Sequence, residues 1–315
     1  MVYSGQRAAA RRPQPHRVNG KGPLEPVTTL IDPQPIRLLP AWPAGLDARW
    51  AHLQEIVRGL GRVVVAYSGG VDSALVLKVC RDGLGREAVL AVLAQSESYA
   101  GRELESAQAV AAGMDARLRV IRTQELTNPD YAANPVNRCY FCKQTLFDDL
   151  GPLAAAEGYT TIVDGFNADD VGDHRPGRQA ARERGVRSPL LEAGLTKADI
   201  RALARRLGLP IWNKPSLACL SSRIPYGTPV TAEALAQIDA AENYLRDLGF
   251  TQVRVRHHGA QKLARIEVDP ALLPRLVAPG IREAVVARLQ EIGYRYVAID
   301  LVGYRSGSLN EVLVR

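Results

Sequence analysis

The sequence predicts an α/β protein with a doubly wound parallel sheet, followed by a smaller α+β domain. Two observations support this fold class. From about residue 46, apolar strand-like runs alternate with amphipathic helical stretches, which is typical of a parallel sheet covered by helices. After about residue 228, the order changes to a long helix, two strand-like runs, a second helix and a last strand. The domain boundary is therefore expected near residue 228.

The strands of the parallel sheet are predicted from short apolar runs, which are RVVVAY, EAVLAVLA, ARLRVIRT and YTTIVDG. RVVVAY is continuous and rich in valine, as a strand buried on both faces should be. Helices are expected at residues 47–60, 74–82, 101–112 and 143–157. Thr196 and Asp199 form a capping pair that opens another helix, which Gly208 and Pro210 end. Ligands of such sheets bind at the carboxyl ends of the strands, near the reversal of strand order.

The smaller domain is predicted to begin with the long helix TAEALAQIDAAENYLRDLGF. TQVRVRH and LARIEVD then have the alternation of two paired strands. A helix near residues 281–291 and the strand YRYVAIDLV complete it. We expect residues 229–315 to bind substrate and to form contacts between copies of the chain.

Charge and proline are concentrated at the N-terminus. Residues 1–45 hold six Arg or Lys, two Asp or Glu and eight of the twenty prolines, so they predict a disordered basic tail. The remaining chain carries little of the net charge of +7, which is weak support for a nucleic-acid partner. Neither a membrane-spanning run nor an apolar signal core is visible, so the protein is expected in the cytoplasm.

The sequence contains four cysteines, too few in a chain of 315 residues for a disulfide framework. Cys80 ends the apolar stretch ALVLKVC and is predicted to be a buried thiol. Cys139, Cys142 and Cys219 remain as candidates for chemistry.

The hexapeptide SGGVDS, residues 68–73, lies between a predicted buried strand and a predicted helix. Two glycines let the backbone turn tightly and approach a ligand, and the serines offer hydroxyl groups. The following helix N-terminus adds free N–H groups and the positive end of a dipole. These are the parts of a phosphate cradle, although the pattern of P-loop nucleotide hydrolases is absent.

SGGVDS resembles the pyrophosphate loop of the ATP pyrophosphatase (PP-loop) superfamily, whose domains have the adenine nucleotide alpha hydrolase-like fold. These enzymes transfer AMP from ATP to an oxygen of the substrate, and a nucleophile then displaces the AMP. The resemblance implies that pyrophosphate is held by Ser68, Gly69, Gly70 and Ser73. It also implies that Asp72 places Mg²⁺. Residues 46–228 are thus expected to form the ATP-binding domain.

A narrower resemblance covers roughly residues 46–300. DGFNADD, DHRPGRQAARERGVRSPL, KPSLACLSSRIPYG, VRVRHHG and ARIEVD are similar to LarE-type sulfur transferases. Membership implies adenylation of a carboxylate of a pyridinium-dicarboxylate mononucleotide and its conversion to a thiocarboxylate. This reaction belongs to the synthesis of the nickel-pincer cofactor of lactate racemase. The family also implies a homo-oligomeric ring, with a hexamer as one form.

Cys219 matches the sulfur-handling cysteine of that family, and in one branch this residue gives up its own sulfur. Cys139 and Cys142 form a CxxC motif, which suits redox chemistry, zinc or an iron–sulfur cluster. Structural zinc needs four ligands, for which His174 is a further candidate. Three thiolates suit a [4Fe–4S] cluster with one open iron, the pattern of a second branch, and we favour this hypothesis. Unlinked thiols with a sacrificial Cys219 remain the alternative.

Charged residues complete the candidate site. The resemblance implies that Lys143 holds phosphate or carboxylate, although a solvated lysine is an equal alternative. Arg254 and Arg256 alternate on a strand and thus share a face, which suits a substrate phosphate or a solvated sheet edge. Glu242 matches a family acidic residue near these arginines, and Arg223 could assist Cys219 or bind an anion.

Asn167 and Asp169 follow a predicted strand end, where active-site residues collect, and are expected beside the ATP. Asp169 and Asp170 could equally open a helix. His257 and His258 lack metal-ligand spacing and are interpreted as surface residues.

The sequence thus predicts an ATP-dependent, AMP-forming sulfurtransferase of a small pyridinium nucleotide. The alternative is a cluster-dependent tRNA thiolase of the PP-loop type, which the basic tail favours slightly. No dense stripe of Lys and Arg marks an RNA-binding surface, so a nucleic-acid partner is not expected.

Overall fold

The computed structural model of the protein describes residues 45–171, 176–215, 218–305 and 307–313. Almost all of the predicted basic tail and the zinc candidate His174 lie outside these residues. Within them, the strands form one parallel sheet in the first half of the chain and one mixed sheet in the second half.

The strand order of the first sheet reverses beside an inner strand, which is where ligands of doubly wound sheets bind. Its strands are β1 (Val63–Ala66), β2 (Val89–Gln95), β3 (Arg117–Arg122) and β4 (Thr161–Val163). Among the described residues their order is β3-β2-β1-β4, with all pairs parallel. The chain adds two strands on one side of β1 and then returns to its other side, so the order reverses between β1 and β4. This arrangement confirms the predicted doubly wound sheet.

Helices cover both faces of this sheet. Every residue of β1 is buried, and alternate residues enter different apolar clusters, with Val63 and Val65 on one face and Val64 and Ala66 on the other. The helices are α1 (Leu46–Arg58), α2 (Val71–Leu84), α3 (Gly101–Gly113), α4 (Pro129–Ala132), α5 (Arg138–Ala156), α6 (Pro176–Glu183), α7 (Pro189–Glu192) and α8 (Lys197–Arg206). The predicted capping box of Thr196 and Asp199 opens α8. Along the described ranges, no helix has the length and apolarity to cross a membrane.

The second sheet follows the helix α9 (Ala232–Asp247). Its strands are β5 (Val253–His258), β6 (Leu263–Val268) and β7 (Tyr296–Ile299), in the order β5-β6-β7 over the described residues. The predicted pairing of β5 with β6 is antiparallel, and β7 is parallel to β6. The short helix α10 (Leu273–Leu276) and α11 (Ile281–Ile292) connect β6 to β7.

Helix α5 begins earlier than predicted. It starts at Arg138 and not at Lys143, so it contains the whole CxxC motif. A turn at Pro135 leads directly into it, since the amide of Arg138 donates to the Pro135 carbonyl at 2.9 Å. Lys143 therefore lies in the second turn, and the prediction that this helix begins at residue 143 was wrong.

Candidate active site

The SGGVDS loop (residues 68–73) connects the end of β1 to the first turn of α2 at the strand-order reversal. The Ser73 hydroxyl closes the loop, because it accepts from the Ser68 amide and donates to the Gly70 carbonyl, both at 3.1 Å. Gly69 has φ +70°, and a Cβ there would lie 2.6 Å from Cβ of Ala107. Only glycine fits this turn without displacing α3.

Asp72 faces Lys197, the first residue of α8, and the two form an ion pair. The other carboxylate oxygen, Oδ1, is buried and has no hydrogen-bond partner among the described residues. An unpaired buried carboxylate oxygen is costly unless a cation binds it, so this position suits the Mg²⁺ that accompanies ATP.

Lys197 and Lys214 were not singled out in the sequence, and both reach this loop. Lys214 donates to the Gly69 carbonyl at 3.3 Å and pairs with Glu103 at 2.6 Å. Lys197 carries a positive charge at the first position of a helix, where cations are disfavoured. That anomaly is the sequence signal that could have identified Lys197, whereas Lys214 has no comparable signal.

The end of β4 packs directly on the same loop. A Cβ at Gly165 would lie 2.8 Å from the Ser73 amide nitrogen, so the two backbones are in close contact. Asn167 is buried and its side chain accepts from the Asp169 amide at 3.0 Å. Asp169 in turn accepts from the Lys197 amide at 2.8 Å. The structure thus brings the predicted Asn167 and Asp169 beside residues 68–73, and their contact with ATP stays a prediction.

Buried Asp164 lies between β4 and the cysteine helix. One oxygen accepts from the Ser188 hydroxyl at 2.7 Å, while Oδ2 is buried and unpaired within the described part of the chain. Burial raises the pKa of Asp164, and nearby Lys143 acts against that rise. The Lys143 ammonium lies 5.7 Å from the centre of the Phe147 ring. Lys143 therefore lies near a buried acid that directly follows β4.

Cys139 and Cys142 lie three residues apart in the first turns of α5. Cys139 is exposed, whereas Cys142 is partly buried and its thiol lies 4.0 Å from Oε1 of buried Glu125. Burial, followed by Glu125 and Cys219, raises the pKa of the Cys142 thiol. Cys139 and Cys219 therefore both lie close enough to Cys142 to contribute to this rise.

The Cys219 loop (residues 218–223) is irregular, and other parts of the chain fix its backbone. Leu220 donates its amide to the Ser98 carbonyl at 2.9 Å. The Ser221 hydroxyl lies 2.7 Å from that of buried Tyr131, and its carbonyl accepts from buried Arg138 at 3.1 Å. Arg138 was not singled out either, although it directly precedes the CxxC motif. It connects the two cysteine-bearing segments.

Arg223 and Glu242 form a buried ion pair beneath this loop. Nε and Nη2 of Arg223 donate to the two carboxylate oxygens at 2.8 and 3.0 Å. Nη1 donates to the carbonyls of Ala218 and Cys219 at 2.7 and 2.8 Å. Burial alone would raise the pKa of Glu242, but Arg223, Arg246 and Arg254 outweigh it and lower the pKa. A role of this pair at the substrate phosphate stays a prediction.

Arg254 and Arg256 share one face of β5, as their spacing predicts, and both are buried. The alternative of a solvated sheet edge was therefore wrong. Arg256 forms a two-pronged pair with Glu267, while Arg254 lies 5.1 Å from the centre of the Tyr304 ring. Burial, then the charge of Arg223, lowers the pKa of Arg254 to about 10.

His257 was interpreted as a surface residue, and this was wrong. Its ring is buried and its Nδ1 lies 3.1 Å from the Tyr294 hydroxyl. Cys80, in contrast, is fully buried in the core, as predicted.

The three candidate thiols are the predicted ligands of a [4Fe–4S] cluster. Within the described ranges, no three His, Cys, Asp or Glu side chains stand close enough together to hold a metal ion. The donor chemistry nevertheless fits, because three thiols share one neighbourhood and Oε2 of Glu125 is buried there without a partner among the described residues. The residue types therefore fit a [4Fe–4S] cluster, but the described side chains are not arranged as its complete ligand set.

Comparisons with known proteins agree with this geometry. Residues 48–131, which contain the SGGVDS loop, match the family model described as NAD synthase. The chain is 48% identical over 270 residues to an uncharacterized protein of Synechocystis sp., covering 86% of this chain and 100% of that protein. It is 29% identical over 245 residues to an uncharacterized protein of Methanocaldococcus jannaschii, covering 78% and 91%.

One characterised relative distinguishes between the two predicted functions. The chain is 41% identical over 272 residues to the pyridinium-3,5-bisthiocarboxylic acid mononucleotide synthase of Lactiplantibacillus plantarum. The match covers 86% of this chain and 97% of that enzyme. It favours the predicted sulfur transferase over a tRNA thiolase. The chain therefore belongs to the LarE-type family of ATP-dependent sulfurtransferases, within the PP-loop superfamily.

Proposed function

We propose that the protein uses ATP to adenylate a carboxylate of a pyridinium-dicarboxylate mononucleotide and then converts this carboxylate to a thiocarboxylate. In the first step a carboxylate oxygen attacks the α-phosphorus of ATP, and pyrophosphate leaves. Residues 68–73 bind the pyrophosphate, with Asp72 at the Mg²⁺ and Lys197 and Lys214 beside the charge that develops. In the second step sulfur attacks the acyl carbon, and AMP leaves.

One short connection supports this proposal most directly. Ser98 accepts from the amide of Leu220, next to Cys219, and the neighbouring Tyr99 hydroxyl donates to the Ser68 carbonyl at 3.1 Å. The segment after β2 thus contacts both the SGGVDS loop and the Cys219 loop. An acyl-adenylate formed at the first would lie near the thiol of the second.

Two routes for the sulfur follow from the three thiols. In one, the Cys219 thiolate attacks the acyl carbon and AMP leaves. Removal of the Cα proton then breaks the Cβ–S bond, which releases the thiocarboxylate and leaves dehydroalanine at position 219. In the other, which we favour, Cys139, Cys142 and Cys219 would hold a [4Fe–4S] cluster. Such a cluster would supply an open iron for an external sulfide, and Arg138 and Lys143 place positive charge beside the three cysteines.

Iron and acid-labile sulfide per chain, measured after anaerobic purification, distinguish the two routes. We expect about four of each in the wild type and a clear loss in Cys142→Ala. The matched control is Cys80→Ala, since Cys80 lies in the core and should not affect iron content. Absence of iron in the wild type, together with dehydroalanine at position 219 after one turnover, would support the sacrificial route.

The activity itself is tested with pyridinium-3,5-dicarboxylate mononucleotide, Mg²⁺ and ATP. We expect mononucleotide-dependent exchange of labelled pyrophosphate into ATP, and a product in which sulfur replaces a carboxylate oxygen. Cys219→Ser should retain the exchange and lose the product. Absence of exchange in the wild type would contradict the proposal. We further propose, from the family resemblance, that the enzyme works in the cytoplasm as a homo-oligomeric ring.

A further inference from the structure

Buried Arg256 of the second sheet contacts the Cys219 loop. Arg256 on β5 donates from Nη1 to the Ser222 carbonyl at 2.7 Å. Ser222 in turn contacts the cysteine, because its hydroxyl and its amide donate to the Cys219 carbonyl at 2.8 and 3.0 Å. Ser222 therefore connects Arg256 to the backbone of Cys219.

Glu267 determines where the Arg256 guanidinium lies. Its carboxylate, which is fully buried on β6, accepts from Nε at 2.9 Å and from Nη2 at 2.8 Å. A two-pronged pair fixes the plane of a guanidinium as well as its position. Nη1 is thereby directed toward Ser222, and the Ser308 hydroxyl accepts from the far side at 2.6 Å.

No neutral side chain could replace this carboxylate without cost. Glu267 also pairs with Arg265 at 3.1 Å, so it balances the charge of two arginines on neighbouring strands. Loss of the negative charge would leave the buried Arg256 without its counterion and would allow the guanidinium to turn away from the loop.

We propose that Glu267 is a positioning residue of the sulfur-transfer step, which acts through Arg256 to hold the backbone of Cys219 in place. The proposal rests on the function proposed above. In this proposal Arg256 holds the Cys219 loop, whereas the sequence predicted that it binds the substrate phosphate. Attack on an acyl carbon needs close alignment, and a misplacement of about 1 Å can lower a rate by about 100-fold.

The test is Glu267→Gln, which keeps the size of the side chain and removes its charge. We expect mononucleotide-dependent ATP–pyrophosphate exchange within about twofold of the wild type, because residues 68–73 do not contact Glu267. The rate of sulfur transfer should fall by about tenfold or more, with an unchanged KM for the mononucleotide. The matched control is Glu291→Gln, an exposed residue of α11 that pairs with Arg288.

A second measurement does not depend on the substrate. In the protein without metal, the rate at which iodoacetamide alkylates Cys219, followed by peptide mass spectrometry, should rise severalfold in Glu267→Gln. Arg256→Lys, which keeps the charge and loses the fork, should produce the same change and serves if Glu267→Gln folds poorly. This measurement tests the proposal even if the wild type shows no exchange with the mononucleotide.

Three results would overturn the proposal. A raised KM with an unchanged transfer rate would show that Arg256 binds the substrate phosphate. A parallel loss of exchange, transfer and melting temperature would show a structural role only. Unchanged transfer and unchanged alkylation in both variants would show that the loop does not need this pair.

Discussion

Lys197 and Asp72 form an ion pair across 125 residues of sequence, and the pair joins the first turn of α8 to the first turn of α2. The lysine neutralises the carboxylate that we assign to Mg²⁺ and stands at the mouth of the SGGVDS loop. We therefore expect Lys197 to interact with phosphate bound at the loop, and Asp72 with the metal ion that accompanies it.

Lys197→Gln should lower the rate of mononucleotide-dependent ATP–pyrophosphate exchange by about 100-fold, because it removes a preorganised positive charge beside the leaving pyrophosphate. Half-saturation by Mg²⁺ should change as well, since Asp72 loses its partner. Lys78→Gln is the control, as Lys78 pairs with Asp82 on the exposed side of α2. Equal exchange rates in the wild type and Lys197→Gln would contradict this role.

Gly165→Ala should weaken ATP binding. The new Cβ would approach the Ser73 amide nitrogen to 2.8 Å and force the end of β4 away from the loop. Isothermal titration with ATP and Mg²⁺ measures the effect. Gly151→Ala provides the contrast, because its added Cβ in the helix α5 would have no described atom within 4 Å apart from the backbone of its own helix and its chain neighbours. That change should raise the free energy of unfolding by about 0.5 kcal/mol and leave ATP affinity unaltered.

His257 should make the stability of the protein depend on pH. Burial, then the neighbouring His258, lowers the pKa of His257 in the folded protein, so the unfolded chain binds a proton more readily. Stability is therefore complete above the ordinary histidine pKa of about 6.5 and is lost as pH falls through the folded-state value. Urea midpoints at pH 7.5 and 5.0 should differ less in His257→Gln than in the wild type.

The control for that titration is His52→Gln, which changes an exposed histidine of α1. It should retain the full difference between the two pH values. An identical pH dependence in the wild type and His257→Gln would show that other groups cause the loss of stability.

Asn134→Ala should destabilise the protein by about 3 kcal/mol. Asn134 is fully buried and donates to the carbonyls of Pro225 and Thr228, each at 2.8 Å. Its backbone has φ +57°, which asparagine tolerates better than alanine. Urea denaturation should show a lower midpoint with an unchanged slope. Asn128→Ala, which only removes a cap from α4, should cost about 1 kcal/mol.

The fold was predictable where the signal is local. RVVVAY identifies β1 because a strand covered on both faces must be apolar throughout, and SGGVDS carries its own turn and helix start. The start of α5 at Arg138 was not predictable from the CxxC motif, because cysteine has no strong preference for helix or loop.

The site was predictable in its residue types but not in its partners. The alternation of side chains along a strand placed Arg254 and Arg256 on one face. It does not reveal that the Arg256 guanidinium donates to Glu267 and to the Ser222 carbonyl. Lys214 is an ordinary lysine until the fold brings it to the Gly69 carbonyl. Such contacts join residues that are distant in sequence, so only the assembled structure reveals them.

The arginines that hold the Cys219 loop imply an order of assembly during synthesis. The ribosome releases the first sheet, with residues 68–73 and Arg138, before Cys219. It releases Glu242, Arg256 and Glu267 afterwards. A growing chain can therefore contain the whole SGGVDS loop while the Cys219 loop still lacks its later contacts. A chain truncated before residue 267 would contain residues 68–73 but would lack Glu267, whose carboxylate fixes the Arg256 guanidinium.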